Sequence, residues 1–403
     1  MSLVVQKYGG TSLADAQRIR AVARRVAAAK KQGDDVVVVV SAMGHTTDEL
    51  VELAGEIGTR PHPRELDMLL TAGERISMAL TAMAIEEEGV KAMSLTGSQA
   101  GILTDAAHGR ARIVDVKGDR VREGLDEDKV VIVAGFQGVD PDTKEITTLG
   151  RGGSDATAVA LAATLGADVA EIYTDVDGVL TADPRLVPNA KKIDEITYDS
   201  MLELASAGVG VLMARSVEFG RRFNVPIHVR SSFHNEPGTW VRKETMEQAI
   251  VSGVGFDDSV AKITVHGVPD QPGVAASLFG PLGAEGVAVD MIVQNVSIDG
   301  RSDISFTVPK DATTVATKLA ESAASQLGAA GVDVDDKIAR ISLVGAGLEF
   351  DSGIAARMFA TLAANDINIE MISTSPIRVS CVIKGPAMAD SVQALHDEFE
   401  LAK

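Results

Sequence analysis

Five consecutive valines, Val36 to Val40, constrain this chain more than any other stretch of it. β-Branched side chains fit a pleated strand, and a strand that is apolar at every position must bury both faces. The run predicts an internal strand of a sheet covered by helices on both sides. Its surroundings agree. Residues 3 to about 248 alternate short apolar runs with helical patterns, the signature of an α/β layer fold with a largely parallel sheet. The spacing predicts further strands at 3–5, 130–133, 171–173 and 227–229, and helices at 14–31, 67–87 and 155–165. Ile19, Val22, Ala23 and Val26 mark the buried face of the first helix. The charged, glycine-broken segment 105–128 predicts a hairpin and a short helix.

The last third repeats itself. Gly273, Ala275, Ala276, Phe279, Leu282, Val289, Met291 and Ile292 each meet an identical or similar residue 80 positions on, at Gly353, Ala355, Ala356, Phe359, Leu362, Ile369, Met371 and Ile372. An ungapped match that also keeps the apolar spacing marks two copies of one unit. Each copy reads strand, glycine loop, amphipathic helix, strand: 263–265, 270–273, 274–282 and 287–292, then 341–344, 351–353, 354–362 and 367–372. A further strand follows at 304–308 and 378–383, and then a second helix, which predicts two small ferredoxin-like sandwiches. Units of this kind bind small molecules or other subunits. Neither carries a catalytic constellation.

The chain's 403 residues are enough for two to four domains at roughly 100–200 residues each. Lys and Arg number 38 against 57 Asp and Glu, a formal net charge of -19, which disfavours a non-specific grip on nucleic-acid phosphates or anionic lipid. An anionic ligand must therefore meet a local positive site. Cys381 is the only cysteine, so neither an internal disulfide nor a cysteine zinc site is available; this fits a reducing compartment. The opening MSLVVQKYGG lacks the basic run and apolar stretch of a signal peptide, and no window approaches 18 uninterrupted apolar residues. The expectation is a soluble, cytoplasmic protein with neither nucleic acid nor membrane as partner.

Two glycine-rich turns carry the chemical signal. The first strand runs into Lys7-Tyr8-Gly9-Gly10-Thr11-Ser12 and then into a helix, where glycines admit a ligand to the backbone and free N–H groups favour an anion. The lysine precedes the glycines, so this is neither a Walker A loop nor a G-x-G-x-x-G fingerprint. By itself a strand–Gly-Gly–helix turn is more often only a tight turn. Gly150-Arg151-Gly152-Gly153-Ser154-Asp155 opens a second helix in the same way. Two such helix starts, with Lys7 and Arg151, suit ligands bearing several negative charges. In open α/β sheets ligands bind beyond the carboxyl ends of the strands, so Lys7, Ser41 and the Arg151 loop can converge. Glu74, in Thr71-Ala72-Gly73-Glu74-Arg75, reads on spacing alone as a solvated helix carboxylate. The acidic loop 173–185 lacks the ligand pattern of a calcium-binding EF-hand, and no metal ligands are expected from it. The seven histidines form no H-E-x-x-H, and in Gly97-Ser98-Gln99-Ala100-Gly101 the serine stands one place early for a nucleophile elbow.

Taken together, KYGGTS, VVSAMG-x-TTDEL, LLTAGERIS, TLGRGGSDATAVALAA and YTDVDG-x-x-TADPR resemble the aspartate kinases of the amino-acid kinase family, of the monofunctional actinobacterial-like type. The resemblance spans essentially the whole chain, because that family also ends in two ACT domains. It implies an amino-acid kinase fold over 1–248, a mostly parallel sheet sandwiched by helices, then ACT domains at 249–330 and 331–403, with 249–256 lending a strand to the second. It also implies transfer of the ATP γ-phosphoryl to the β-carboxylate of L-aspartate, with Mg²⁺, at the entry to lysine, threonine and methionine synthesis. Carried over residue by residue, Lys7, Tyr8, Gly9 and Gly10 correspond to the phosphate loop, with Lys7 as the transition-state cation. Ser41, Thr47, Glu74, Arg151, Gly152, Gly153 and Ser154 correspond to the aspartate pocket, Glu74 meeting the ammonium and Arg151 a carboxylate; Lys7, Arg151 and Asp155 form the catalytic group. Thr174, Asp175, Leu180, Thr181, Ala182, Asp183, Pro184, Arg185 and Gly210 correspond to the nucleotide site.

Lysine or threonine is implied as effector, at Asp270, Gly273, Val274, Ala275, Ala288, Val289, Asp290 and Gln294 in the first ACT unit and Ile354, Ala355, Asn368, Ile369 and Glu370 in the second. A purely structural dimerisation tail is the other reading of these units. Related enzymes form homodimers or α2β2 assemblies through them, and Met246 stands where an internal translation start would fall. The chain departs from the family pattern at Gly210, where a nucleotide-contacting lysine is usual, at Leu180, where an aromatic residue is common, at His45, and at Ala288, where asparagine is usual. Two alternatives to aspartate kinase therefore stay open: a paralogue for another acidic acceptor, and a non-catalytic amino-acid sensor.

Overall fold

The structure, a computed structural model, describes residues 2–244, 250–295, 299–348, 351 and 353–403. Met246 and Ala249 lie outside them. Contacts divide the chain into two compact units. One comprises Met1–Leu180, Lys192–Ser206 and Gly210–Glu247; the other comprises Thr181–Lys191, Ala207–Val209 and Gln248–Lys403.

In the first unit β1 (Leu3–Tyr8) leads through a turn to α1 (Ala16–Lys31), then β2 (Asp35–Val40), α2 (Thr46–Ile57), α3 (Pro63–Glu87) and β3 (Ala92–Leu95). Next come β4 (Ile102–Thr104), β5 (Ile113–Val116), α4 (Asp119–Asp126), β6 (Val130–Ala134), β7 (Gln137–Val139) and β8 (Ile146–Thr148). The unit closes with α5 (Gly153–Leu165), β9 (Val169–Thr174), β10 (Glu195–Thr197), α6 (Tyr198–Ser206), α7 (Ala214–Phe223), β11 (Ile227–Ser231) and β12 (Thr239–Arg242). The eight-stranded sheet runs β10-β12-β11-β9-β1-β2-β6-β3. Its pairs are parallel except β11 with β12. Val36 to Val40 are fully buried in β2, as their β-branched run demands.

Alternation along β1 sorts its side chains between the two faces. Tyr8 packs with Ile19, Val22 and Val26 of α1, whereas Lys7 reaches α5. Helix α5 is buried at every position from Gly153 to Ala162, so it is a core helix rather than an amphipathic one. Segment 105–128 contains part of a second, four-stranded sheet, β5-β4-β7-β8, and α4. Helix α3 is long and apolar enough to cross a membrane by length and composition. Here it packs in the α/β layer, with Asp67, Thr71 and Glu74 all buried.

The second unit contains β13 (Gly253–Asp257), β14 (Val260–Pro269), α8 (Val274–Ala284), β15 (Ile292–Gln294), β16 (Arg301–Pro309), α9 (Thr313–Leu327) and β17 (Gly331–Asp335). It continues with β18 (Ile338–Val344), α10 (Gly353–Ala364), β19 (Met371–Ser375), β20 (Arg378–Lys384) and α11 (Met388–Glu398). These elements build two four-stranded sheets, β15-β16-β14-β17 and β13-β18-β20-β19. The later sheet thus takes as its edge strand β13, which precedes the whole earlier sandwich in sequence. Residues 331–335 pair with β14, so the expected break at 330/331 falls inside the earlier sandwich, and the chain passes to the later one after Asp335. Two further stretches, Thr181–Lys191 and Ala207–Val209, fold with this unit and not with the sheet that precedes them in sequence. Ala182 and Val187 lie in one core with Val254, Leu343, Met358 and Leu395.

Candidate active site

Parallel register sets the carboxyl ends of four strands side by side: Tyr8 lies opposite Val40 and Tyr173, and Val40 opposite Ala134. The loops leaving those ends carry Gly9 and Gly10, Ser41 to His45, Gly135 to Gln137, and Asp175. Lys7, at the end of β1, places Nζ 2.6 Å from Oδ1 of Asp155 in the first turn of α5, and both side chains are nearly buried. A Cβ on Gly9 would stand 3.4 Å from that Nζ. One on Gly10 would stand 2.9 Å from the carbonyl oxygens of Ala42 and Gly44, so glycine is what lets these loops close on each other. Two expectations here are corrected. The chain after Gly10 is a one-turn 3₁₀ helix, and α1 starts only at Ala16, because the Asp15 carboxylate caps it by accepting from the Arg18 N–H. The Tyr8 side chain is wholly buried, stacked on Tyr173 at 4.7 Å, and supports the turn from behind instead of reaching a ligand.

The Arg151 turn is built for close approach. Gly150 and Gly152 have φ of +73° and +69°, and a Cβ on Gly152 would lie 1.9 Å from Cγ of Met213. No side chain caps α5 at Gly152, so the free N–H groups and the positive dipole end of a thirteen-residue helix face the turn that carries exposed Arg151. Ser154 and Asp155 are buried just inside. Glu74 is only 3% exposed. Its Oε1 accepts from the Ala42 N–H at 3.1 Å while its Oε2 has no hydrogen-bond partner, and burial pushes its pKa up to about 7. Gly73 packs against Ala42 and Thr46, so α3 is seated directly on the loop containing Ser41 and on the first turn of α2, where Thr47 lies. Lys7, Gly9, Gly10, Ser41, Glu74 and the turn 150–155 therefore occupy one rim. A cation, an uncapped helix start and a buried acid with a spare oxygen suit a dianionic ligand that also carries an ammonium.

The nucleotide stretch is placed unevenly. Thr174 ends β9 and its hydroxyl donates to Asp175 at 3.1 Å; Leu180 bridges to Lys192. Thr181 and Ala182 are corrections, being buried within the second unit. The Thr181 hydroxyl accepts from the Lys191 N–H and is hydrogen-bonded to Nε2 of buried His396, and its carbonyl accepts from Val254 N–H. Asp183 and Arg185 pair with each other at 2.5 Å, with Pro184 exposed between them. Gly210 is exposed, and no atom lies within 4 Å of where its Cβ would stand.

The positions carried over as effector residues divide in two. Asp270, Gly273, Ala275, Asn368 and Ala355 belong to the loops and first turns around α8 and α10, whereas Val274 and Ile354 are core residues of those helices. Val289 and Ile369 pack against the two cores, Ala288 precedes Val289, and Gln294 ends β15 with a hydrogen bond to Ser302. Asp290 is ion-paired with Arg340 of the later sandwich, and Glu370 with Lys262 of the earlier one, reciprocal pairs that follow the repeat.

Sequence reasoning missed Phe136. Its φ is +68°, unusual for a bulky residue, and its ring abuts Gly153 at 3.1 Å from where a Cβ would be. The signal was available in Gly135-Phe136-Gln137-Gly138, a glycine-flanked turn directly after a buried strand. Among the described residues, no group of three or more His, Cys, Asp or Glu side chains is arranged to hold a metal ion.

An open α/β sheet with a lysine and an uncapped helix start at its carboxyl edge suits a phosphate-bearing ligand, as a phosphoryl-transfer enzyme requires. Residues 2–231, more than half of the chain, match the amino acid kinase family model, and residues 263–323 and 341–399 match an ACT domain. The aspartokinase of Mycolicibacterium smegmatis is 54% identical over 407 residues, covering 100% of this chain and 97% of that protein. E. coli aspartokinase III in complex with aspartate and ADP, in its R-state, superposes with a TM-score of 0.84 at 27% identity, covering 98% of this chain and 99% of that one. The same enzyme with lysine and aspartate, in its T-state, gives 0.73 over 98% and 99%. The chain belongs to the aspartokinases of the amino acid kinase family.

Proposed function

We propose that this chain transfers the γ-phosphoryl group of MgATP to the β-carboxylate of L-aspartate, with lysine or threonine as effectors acting through the ACT units. The observation that carries the assignment of roles is the Lys7–Asp155 pair, set at the glycine turn and at the uncapped start of α5. A carboxylate acceptor with a reference pKa of about 3.9 is already ionised at neutral pH, so the site needs no general base. Its task is to hold two anions in line and to stabilise charge on the transferred group. Lys7 supplies that charge, and Asp155 fixes its direction. Arg151 takes a substrate carboxylate, Glu74 its ammonium through the unpartnered Oε2, and Ser41 and Thr47 offer hydroxyls. Thr174, Asp175 and Leu180 hold the nucleotide, with Mg²⁺ arriving on its phosphates. The relative crystallised with aspartate and ADP supports this substrate pair, and the lysine-bound form of that relative supports an effector role for lysine. Assembly as a homodimer or an α2β2 complex through the ACT units belongs to the same reading.

Hydroxamate formation from MgATP and a panel of acidic amino acids tests it. The expected result is product with L-aspartate, little with other acceptors, and inhibition by lysine or threonine. Turnover with another acceptor in place of aspartate would assign a different kinase. Effector binding without turnover of any acceptor would leave only a sensor.

A further inference from the structure

Asp67 is 1% exposed and stands seven residues before Glu74 on α3, two turns away on the same buried side of the helix. Its carboxylate is the hub of a contact set separate from the residues assigned above. Oδ1 accepts from the Thr148 hydroxyl at 2.5 Å and from the Gly109 N–H at 3.1 Å, and Oδ2 is 2.7 Å from Nδ1 of His108. Thr148 is the last residue of β8, immediately before Leu149 and the Arg151 turn. The Gly109 carbonyl in turn lies 3.1 Å from where a Cβ on Gly150 would be. The Ala111 N–H donates to the Thr148 carbonyl, and half-buried Arg215 at the start of α7 donates to the carbonyls of Leu149 and Ala111. The stalk of the Arg151 turn is thus bolted to α3 through one buried acid.

We infer that Asp67 is a positioning residue that sets substrate length. This rests on the reading of Glu74 as the ammonium anchor and of the Arg151 turn as a carboxylate anchor. On that reading both anchors are referred to one rigid helix: Glu74 directly, and Arg151 through Asp67, Thr148 and Leu149. Asp67 and Glu74 are separated by about 10 Å of helix rise. With Arg151 on the side-chain carboxylate, a site whose two ends are fixed to one rod holds a single spacing between the ammonium and that carboxylate, so it accepts L-aspartate and rejects the homologue one methylene longer. Loosening the rod's grip on the Arg151 turn relaxes that spacing. A displacement near 1 Å at a reacting group costs about 100-fold in rate.

The test compares kcat/KM for L-aspartate and L-glutamate in the full-length chain carrying Asp67→Asn, Thr148→Val or His108→Gln, each checked for folding by its thermal transition. Thr148→Val and His108→Gln remove one contact each and keep the measurement possible where Asp67→Asn does not fold. The expected result is a 10- to 100-fold loss of kcat/KM for aspartate, carried by kcat as well as KM, with the aspartate-to-glutamate ratio falling at least 10-fold and KM for ATP unchanged. A purely structural role would lower the transition temperature and leave the ratio alone. Folded variants with a ratio within twofold of wild type would overturn the inference. Arg151→Ala separates this failure from that of the underlying reading: if it leaves KM for aspartate unchanged, the carboxylate-anchor assignment falls as well.

Discussion

Glu74 carries two opposed demands. Burial raises its pKa to about 7 from an ordinary 4.5, which means that the free protein holds the carboxylate at a cost once it ionises. That cost is absent below pH 4.5, grows between pH 4.5 and 7, and is constant above; it amounts to about 3 kcal/mol at full ionisation. Glu74→Gln is therefore expected to be more stable than wild type at pH 8, with little gain at pH 4.5, as read by urea unfolding at both values. The same substitution should abolish measurable aspartate saturation, because an amide offers no charge to the substrate ammonium. If Glu74 anchors the substrate ammonium as proposed, KM for aspartate in the wild type should rise as pH falls below about 7, where the carboxylate loses its charge. Gly210 makes the complementary case. It is exposed, has a negative φ and has no atom within 4 Å of its would-be Cβ, so a side chain enters without strain. On the nucleotide-site reading, Gly210→Lys should lower KM for ATP about tenfold by adding one charge-assisted contact, with kcat and KM for aspartate unchanged. An unaltered KM for ATP would place this position outside the nucleotide site.

At the scale of elements, the legible parts of the chain were those whose periodicity is dictated by burial. The valine run, the apolar stretch at 130–133 and the α5 pattern each have one way to hide their side chains, and β2, β6 and α5 lie where the pattern put them. The 80-residue repeat likewise gave the order of elements in both ferredoxin-like sandwiches. What pattern did not give was partnership. The short strands β4, β5, β7 and β8 carry three or four residues each, too few to show a period, and their sheet went unread. Residues 331–335 read as the start of the later sandwich because neighbours in sequence are usually neighbours in space, yet they pair with β14. Of the candidate site, glycine turns and the cations beside them were readable. The supporting contacts of Asp67, Phe136 and Arg215 were not, since they join elements far apart in sequence. Strand β13 shows what such joining costs to disturb. A Cβ on Gly208 would stand 1.8 Å from the Phe256 carbonyl, and Gly208 has a φ of +101°. Gly208→Ala should destabilise the second unit by about 2–4 kcal/mol, seen as a lowered thermal transition that saturating aspartate does not restore.

Across the whole molecule the governing fact is charge. With a formal -19, the chain repels the anions it is proposed to bind, and only a local arrangement of cations and helix N–H groups reverses that. The second unit spends its own cations elsewhere. Arg340 pairs with Asp290 and Glu370 with Lys262, so these charges bind the two sandwiches to each other, while Asp257 and Lys384 reinforce the same two groups from within the later sandwich. In the first unit Lys7 is held at the glycine turn by Asp155, where the proposed mechanism puts the transferred group. The most direct test of this account is aspartate-dependent hydroxamate formation from saturating MgATP by wild-type protein and by Lys7→Ala, with the fold of each confirmed by circular dichroism. The account predicts a folded Lys7→Ala variant whose kcat has fallen about 1000-fold. A folded variant turning over within a few fold of wild type would contradict it.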